Sequence, residues 1–207
     1  MDFEKEYVHR FYSYKAQQFS NSRAKPWPFT AQFIKEQIKS TDLVLDAGCG
    51  NGRQFLHPNT IGLDYSANLL RKASNKPNIG LVQGDIHTLP FKNDVFDVIL
   101  SIAVVHHLCS HERRANCLFE MKRVLKNKGK CLLYVWHKEA SRKTKFSAID
   151  GSQNEYFVSW RGEEDILRYY FLFDEESLEN LVNEAGFKIL EMNREQESIY
   201  AVLENEK

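Results

Sequence analysis

The stretch Asp42-Leu43-Val44-Leu45-Asp46-Ala47-Gly48-Cys49-Gly50-Asn51-Gly52 decides the fold. An apolar run, Leu43 to Leu45, ends in an acid, Asp46, and a turn with glycine at 48, 50 and 52 follows. The run has the composition of a strand buried in a parallel sheet. The turn brings backbone close to a ligand, because glycine adopts positive φ and lacks the Cβ that would hold a cofactor away. A second run, Ile61-Gly62-Leu63, ends in Asp64, 18 residues after Asp46. An acid at the end of the second strand is placed to hold ribose hydroxyls. Together these features specify a nucleoside-cofactor site on an α/β sheet.

A dinucleotide would call for G-x-G-x-x-G opening a long helix that holds the pyrophosphate. Here the spacing is G-x-G-x-G, with an acid two residues before the first glycine. A carboxylate there repels pyrophosphate and suits the amino group and sulfonium of S-adenosylmethionine. Further along, the run from Ile79 to Val82 reads as a third strand and leads into Gln83-Gly84-Asp85-Ile86. Asp85 is placed to accept a hydrogen bond from the adenine amino group, with Ile86 against the ring. Val95 to Ser101 reads as a fourth strand. Asp46, Asp64, Asp85 and Ser101 then fall at C-terminal strand ends, the edge where open α/β sheets bind ligands. Gly48, Cys49, Gly50 and Tyr65 complete the expected cofactor set.

The chain of 207 residues suits one domain with a sizeable core. Cysteines at 49, 109, 117 and 131 form no C-x-x-C pair and no metal-ligand spacing, and fit a reducing compartment. The N-terminus lacks a signal-peptide apolar core, and no run approaches membrane-spanning length; a cytoplasmic or nuclear protein is expected. Net charge is zero, but residues 1–145 hold 23 basic and 13 acidic side chains, and residues 146–207 hold 5 and 15. A polyanionic substrate fits such a basic face, and so does a set of solvated helix faces.

Residues 3–19 read as an amphipathic helix and Lys25-Pro26-Trp27-Pro28 as a stiff linker. Residues 29–39 read as a helix before the first strand. A helix over 66–75 is capped by Ser66, and a long helix over 110–127 is opened by Ser110 and stopped by Asn127-Lys128-Gly129. Cys131 to Trp136 reads as strand five. Residues 138–165 read as polar and irregular, and Arg168 to Phe173 as a strand. Asp174-Glu175-Glu176 caps a helix to Ala185, stopped by Gly186, and strands near 187–192 and 198–203 close the chain.

In this order the motifs resemble class I S-adenosylmethionine-dependent methyltransferases, over most of the chain. The resemblance implies an α/β, Rossmann-like fold with a seven-stranded, mostly parallel sheet and helices on both faces. It implies one domain over residues 1–207, in which 1–40 form an N-terminal helical segment contributing to the substrate site. A more particular set follows: Glu6-Tyr7-Val8-His9, Ser22-Arg23-Ala24-Lys25-Pro26-Trp27-Pro28, Ile102 to His107 leading into Glu112-Arg113-Arg114, Tyr134-Val135-Trp136, Val158-Ser159-Trp160 and Arg168-Tyr169-Tyr170. This set resembles the eukaryotic tRNA methyltransferases that esterify the carboxylate of 5-carboxymethyluridine at the wobble position.

A carboxylate with a pKa of roughly 4 is already ionised at neutral pH. Such an enzyme needs no strong general base; it must hold one oxygen in line with the sulfonium methyl. A few directed donors are expected rather than a tight clamp. Arg23, His106 and Arg114 are the catalytic candidates, and Lys25, Trp27, His107, Trp136 and Tyr169 the substrate-binding ones. Arg113 and Arg114 are adjacent and cannot share one helix face, so at most one reaches the site. The resemblance also implies a small zinc-binding activator subunit adding a strand at Asn78 to Val82, and tRNA already carrying the carboxymethyl group. Some relatives carry a long polar insertion between strand five and the next strand, an interval that residues 137–167 span compactly here. Two alternatives stand beside this reading: a small-molecule methyltransferase of the quinone or sterol type, and a non-catalytic methyltransferase fold acting as a scaffold.

Overall fold

The computed structural model describes residues 3–22, 25–142, 145–160 and 163–207, with the side chains of 163–165 outside that description. A turn of π-helix, Lys5–His9, leads into α1 (Arg10–Tyr14) and α2 (Ala16–Ser22). The expected single helix is therefore broken, at Lys15. α3 (Pro28–Gln37) begins at a proline, which needs no N–H partner in a first turn. There follow β1 (Val44–Ala47), β2 (Thr60–Asp64), α4 (Ala67–Ala73), β3 (Gly80–Gln83), β4 (Phe96–Ile102), a 3-10 turn at Val105–His107, α5 (His111–Val124) and β5 (Leu125–Trp136). Ser66 and Ser110 cap α4 and α5 through Leu69 and Arg113 N–H groups, as their positions predict.

The main sheet has seven strands in the order β3-β2-β1-β4-β5-β10-β9, where β9 is Lys188–Glu195 and β10 is Ser198–Glu204. The pairings from β3 to β5 are parallel, and β10 and β9 close the sheet antiparallel. Both faces are covered. Alternation along the strands sends Leu45, Ile99 and Leu133 into one core and Val44, Val98 and Leu132 into the other. α5 and α6 (Glu175–Glu184) fill the first through Leu118, Met121, Leu178 and Val182; α3 fills the second through Phe33 and Ile34. The chain runs outward from β1 to β3, then returns to β4 on the other side of β1. This switch point opens a crevice at the C-terminal strand ends.

Two expectations are corrected. α5 stops at Val124, not at 127, because the buried amide of Asn205 donates to the carbonyls of Lys122, Leu125 and Lys126 and ends the helix from across the fold. Residues 127–129 lie in the N-terminal part of β5 instead. The span 138–165 is not irregular. After a 3-10 turn at Lys138–Arg142 it contributes β6 (Phe146–Ala148) and β7 (Glu155–Trp160), which join β8 (Glu163–Phe171) in an antiparallel sheet. Its apolar side, Tyr156, Val158, Tyr170 and Phe146, packs with Trp136 at the end of β5. Much of the basic stretch after residue 111 is paired: Arg123 with Glu120, Lys126 with Asp97, Lys128 with Glu204 and Glu206, Lys138 with Asp174. Among the described residues, no helix is long and apolar enough to cross a membrane.

Asp174 and Ser177 form a reciprocal capping box at α6. Asp174→Ala is expected to lower stability by about 1 kcal/mol and the Tm by about 2–4 °C, with cofactor affinity unchanged. Ser177 and Lys138 hold the Asp174 carboxyl well below its ordinary range, so the deficit narrows only in acid. Thermal melts of both proteins at neutral and acidic pH check this.

Candidate active site

The crevice is a cleft of about 490 Å³. Its floor begins at the glycine turn after β1. Gly48 has φ of +86°, and a Cβ there would lie 2.4 Å from Val104 Cγ2. The N–H groups of Gly48 and Cys49 both donate to the Leu63 carbonyl, at 2.7 and 2.9 Å. Asp64 pins the same turn from the end of β2: its Oδ2 accepts from Gly50 N and its Oδ1 from Ser66 N, each at 2.8 Å.

Asp46, one residue before the end of β1, is almost wholly buried, and its Oδ2 has no hydrogen-bond partner. Burial, and then the charge of Asp64, push the Asp46 carboxyl up to about 7. Burial raises Asp64 to about 6 against the pull of its two N–H donors. Asp85 behaves oppositely. Burial raises it, but the His87 N–H and the Arg113 guanidinium outweigh that and hold it below the ordinary range. Arg113 Nη2 lies 3.0 Å from Asp85 Oδ2, and its Nε lies 2.8 Å from the buried Glu4. Of the adjacent arginines, Arg113 is thus the one that holds an expected cofactor residue, Asp85.

The expected cofactor residues Asp46, Gly48, Cys49, Gly50, Asp64, Tyr65, Asp85 and Ile86 all line the cleft. Tyr65 stacks on His9, with ring centroids 3.6 Å apart and planes at 13°. Ser101 does not line it; the side chain is fully buried within β4 and its hydroxyl has no partner.

At the other end the walls come from the 3-10 turn after β4, the end of β5, β8 and the N-terminal segment. His106 Nδ1 accepts from Trp136 N at 3.3 Å, and the ring stacks on Tyr170 with centroids 5.0 Å apart. A ring whose Nδ1 accepts carries its proton on Nε2. His107 is the other tautomer. Its Nδ1 donates to the Tyr169 carbonyl at 2.9 Å, so its Nε2 accepts from the Tyr12 hydroxyl at 2.8 Å. Burial holds both rings neutral, His107 at about 3 and His106 well below its ordinary value. Lys25, Trp27 and Trp136 also line the cleft.

Arg23 lies outside the described residues. Arg114 does not itself line the cleft: its guanidinium sits 3.8 Å over the Phe171 ring and donates to the carbonyl of Leu108, a lining residue. Tyr169 does not line the cleft either. Its hydroxyl donates to Glu155 at 2.8 Å, and only its carbonyl serves the site, through His107. Glu4, Tyr12, Arg168 and Tyr170 also line the cleft and were not among the expected site residues. Arg168 and Tyr170 lie two apart on one strand, so they share a face of β8; that alternation was the available signal.

A model of the methyltransferase domain family matches residues 45–133. An Encephalitozoon cuniculi protein named only as a methyltransferase is 46% identical, over 98% of this chain and 97% of its own. The tRNA (carboxymethyluridine(34)-5-O)-methyltransferase of Schizosaccharomyces pombe is 34% identical, over 99% of this chain and 98% of its own. The chain belongs to this tRNA methyltransferase family. A Haloferax volcanii methyltransferase, solved in complex with the Trm112 methyltransferase activator, shares the fold, with a TM-score of 0.75 at 15% identity over 97% of this chain and 98% of its own. The cofactor of the family is S-adenosylmethionine. The residues present fit that molecule: an orphaned buried carboxylate oxygen on Asp46 faces a cleft that has to take a cation, and the space a Cβ would occupy at Gly48 is already held by Val104. Asp46 and Asp64 would hold its amino group and ribose, and Asp85 and Ile86 its adenine.

Gly48→Ala is expected to weaken S-adenosylmethionine binding about tenfold or more through backbone strain, read by calorimetry. Asp46→Asn tests the buried acid. A carboxyl raised on folding stabilises the fold below its unfolded pKa and loses that contribution as pH rises through about 7. The variant's Tm should therefore gain on wild type between about pH 4 and pH 7, while its cofactor affinity falls. Comparing the two proteins cancels the opposite trend from the buried neutral His106 and His107.

Proposed function

We propose that this chain transfers a methyl group from S-adenosylmethionine to the carboxylate of 5-carboxymethyluridine at the wobble position of tRNA, as the catalytic subunit of a heterodimer. The observation that carries this reading is the end-to-end likeness to the fission-yeast enzyme of that name. The chemistry of the acceptor end supports it. When bound, the cofactor supplies an electrophilic methyl carbon on a sulfonium. An ionised carboxylate needs no proton removed before it attacks. His106 and His107 are held neutral by burial and by their partners, so they orient and donate rather than act as strong bases. Trp27 and Trp136, half-buried in the cleft lining, are the rings on which an extruded anticodon base would stack, a contact worth ~1–3 kcal/mol. His106 supplies a neutral N–H donor, which orients a carboxylate without quenching its charge.

The partner in this reading is a small zinc-binding activator that adds a strand at β3. β3 is an edge strand of the main sheet, and Ile79 beside it is more than half exposed. Unpaired edges of this kind accept strand addition. The Haloferax neighbour was solved with an activator of its own.

The test is methyl transfer from radiolabelled S-adenosylmethionine to tRNA isolated from cells lacking the corresponding methyltransferase, using the chain co-expressed with its activator. Base-labile label in the wobble nucleoside is the expected result. No label in tRNA from a protein that binds the cofactor normally would overturn the reading. His106→Ala should lower the rate of transfer while leaving cofactor affinity intact.

A further inference from the structure

Among the described residues, Arg168 is a buried cation with no anion beside it. Its residue is 4% exposed, it lines the cleft, and its Nε has no hydrogen-bond partner. No ion pair found among the described residues includes it. The other arginines near this end are satisfied differently: Arg113 between Glu4 and Asp85, Arg114 on the Leu108 carbonyl. Arg168 is held among rings instead. Its guanidinium carbon lies 4.7 Å from the centroid of Phe11, 5.0 Å from Trp160 and 5.2 Å from Tyr170. Its polar neighbours are the hydroxyls of Tyr12 and Tyr170. The Tyr12 hydroxyl donates its proton to His107, so it turns lone pairs toward other donors.

Taking a charge out of water costs several kcal/mol even after relaxation. Cation–π contacts offset only part of that cost, which leaves a site that an anion would complete. A guanidinium is permanently charged, planar and weakly hydrated, the group suited to a carboxylate. It cannot protonate that carboxylate and so leaves an oxygen lone pair to react.

We propose that Arg168 is the anion-binding residue of the acceptor end and holds the carboxylate to be methylated. This rests on the functional reading above. The cleft receives a second carboxylate, that of the cofactor's amino-acid part. The surroundings favour the acceptor: Arg168 packs on Tyr12 and Tyr170, which contact His107 and His106 in the turn after β4, whereas Asp46, Asp64 and the glycine turn lie at the ends of β1 and β2. The Tyr12–His107–Tyr169 hydrogen bonds fix the hydroxyl that faces the guanidinium.

The test uses the full chain with its activator, as wild type, Arg168→Gln and Arg168→Lys, each first shown folded by its melt. The expected result for Arg168→Gln is a loss of kcat/KM for tRNA of roughly 100-fold, with S-adenosylhomocysteine affinity within about threefold of wild type. Arg168→Lys, which keeps the charge, should recover part of the loss. A parallel loss of S-adenosylhomocysteine affinity would assign Arg168 to the cofactor's carboxylate and overturn the proposal, as would unchanged transfer. A second readout is independent of turnover: binding of 5-carboxymethyluridine nucleoside, and of its uncharged carbamoylmethyl analogue, to the S-adenosylhomocysteine complex. Wild type should prefer the acid and Arg168→Gln should not; equal preference in both proteins overturns the assignment. If wild type makes no ester on tRNA, the functional reading falls, and a stabilisation by acetate that Arg168→Gln abolishes, or fails to abolish, decides the anion site separately.

Discussion

Two carboxylates taken out of water at the ends of adjacent strands govern this structure. Asp46 and Asp64 both lose hydration, Asp46 also feels the charge of Asp64, and both are pushed toward neutral pH. An empty protein relieves this with protons. In the proposed reading a cationic cofactor would relieve it with charge, and the same acids would then contribute binding energy. The glycine turn, the Leu63 carbonyl and the two N–H groups on Asp64 fix where that exchange happens. The parallel sheet fixes it further, because β1 and β2 lie side by side in the register Asp46 to Gly62.

The end of the cleft proposed for the acceptor has the opposite design. Its titratable groups are kept from titrating: His106 and His107 remain neutral, each with a defined tautomer, inside aromatic walls. The two ends are joined by the N-terminal turn. Glu4 accepts from Cys109 N and pairs with Arg113, which also holds Asp85. A residue near the start of the chain is thereby tied to the acid expected at the adenine.

The cofactor half was legible because strand ends, acids and glycines are local signals, and eight of the nine expected cofactor residues line one cleft. Ser101 was misplaced because residues near a strand end alternate between cleft and core. The acceptor half was less legible. The Tyr156, Val158 and Trp160 alternation in β7 is short and is blurred by Phe157, so it reads as loop until β8 pairs with it. The end of α5 depends on Asn205, some 80 residues away, which no local stop signal encodes. The choice among arginines was the hardest. Arg114 stands beside a more conspicuous motif, yet it packs on Phe171, while Arg168 faces the cleft from a strand whose burial only the tertiary structure determines.

The most direct measurement is proton exchange on cofactor binding. Calorimetric titration with S-adenosylmethionine, in buffers of different ionisation enthalpy at a pH between the values of about 6 and about 7 held by Asp64 and Asp46, reports how many protons leave or enter. Net proton release is predicted, lost in large part in Asp46→Asn. Binding with no proton exchange, or with proton uptake, would contradict the claim that this buried acid pair receives the cofactor's charge.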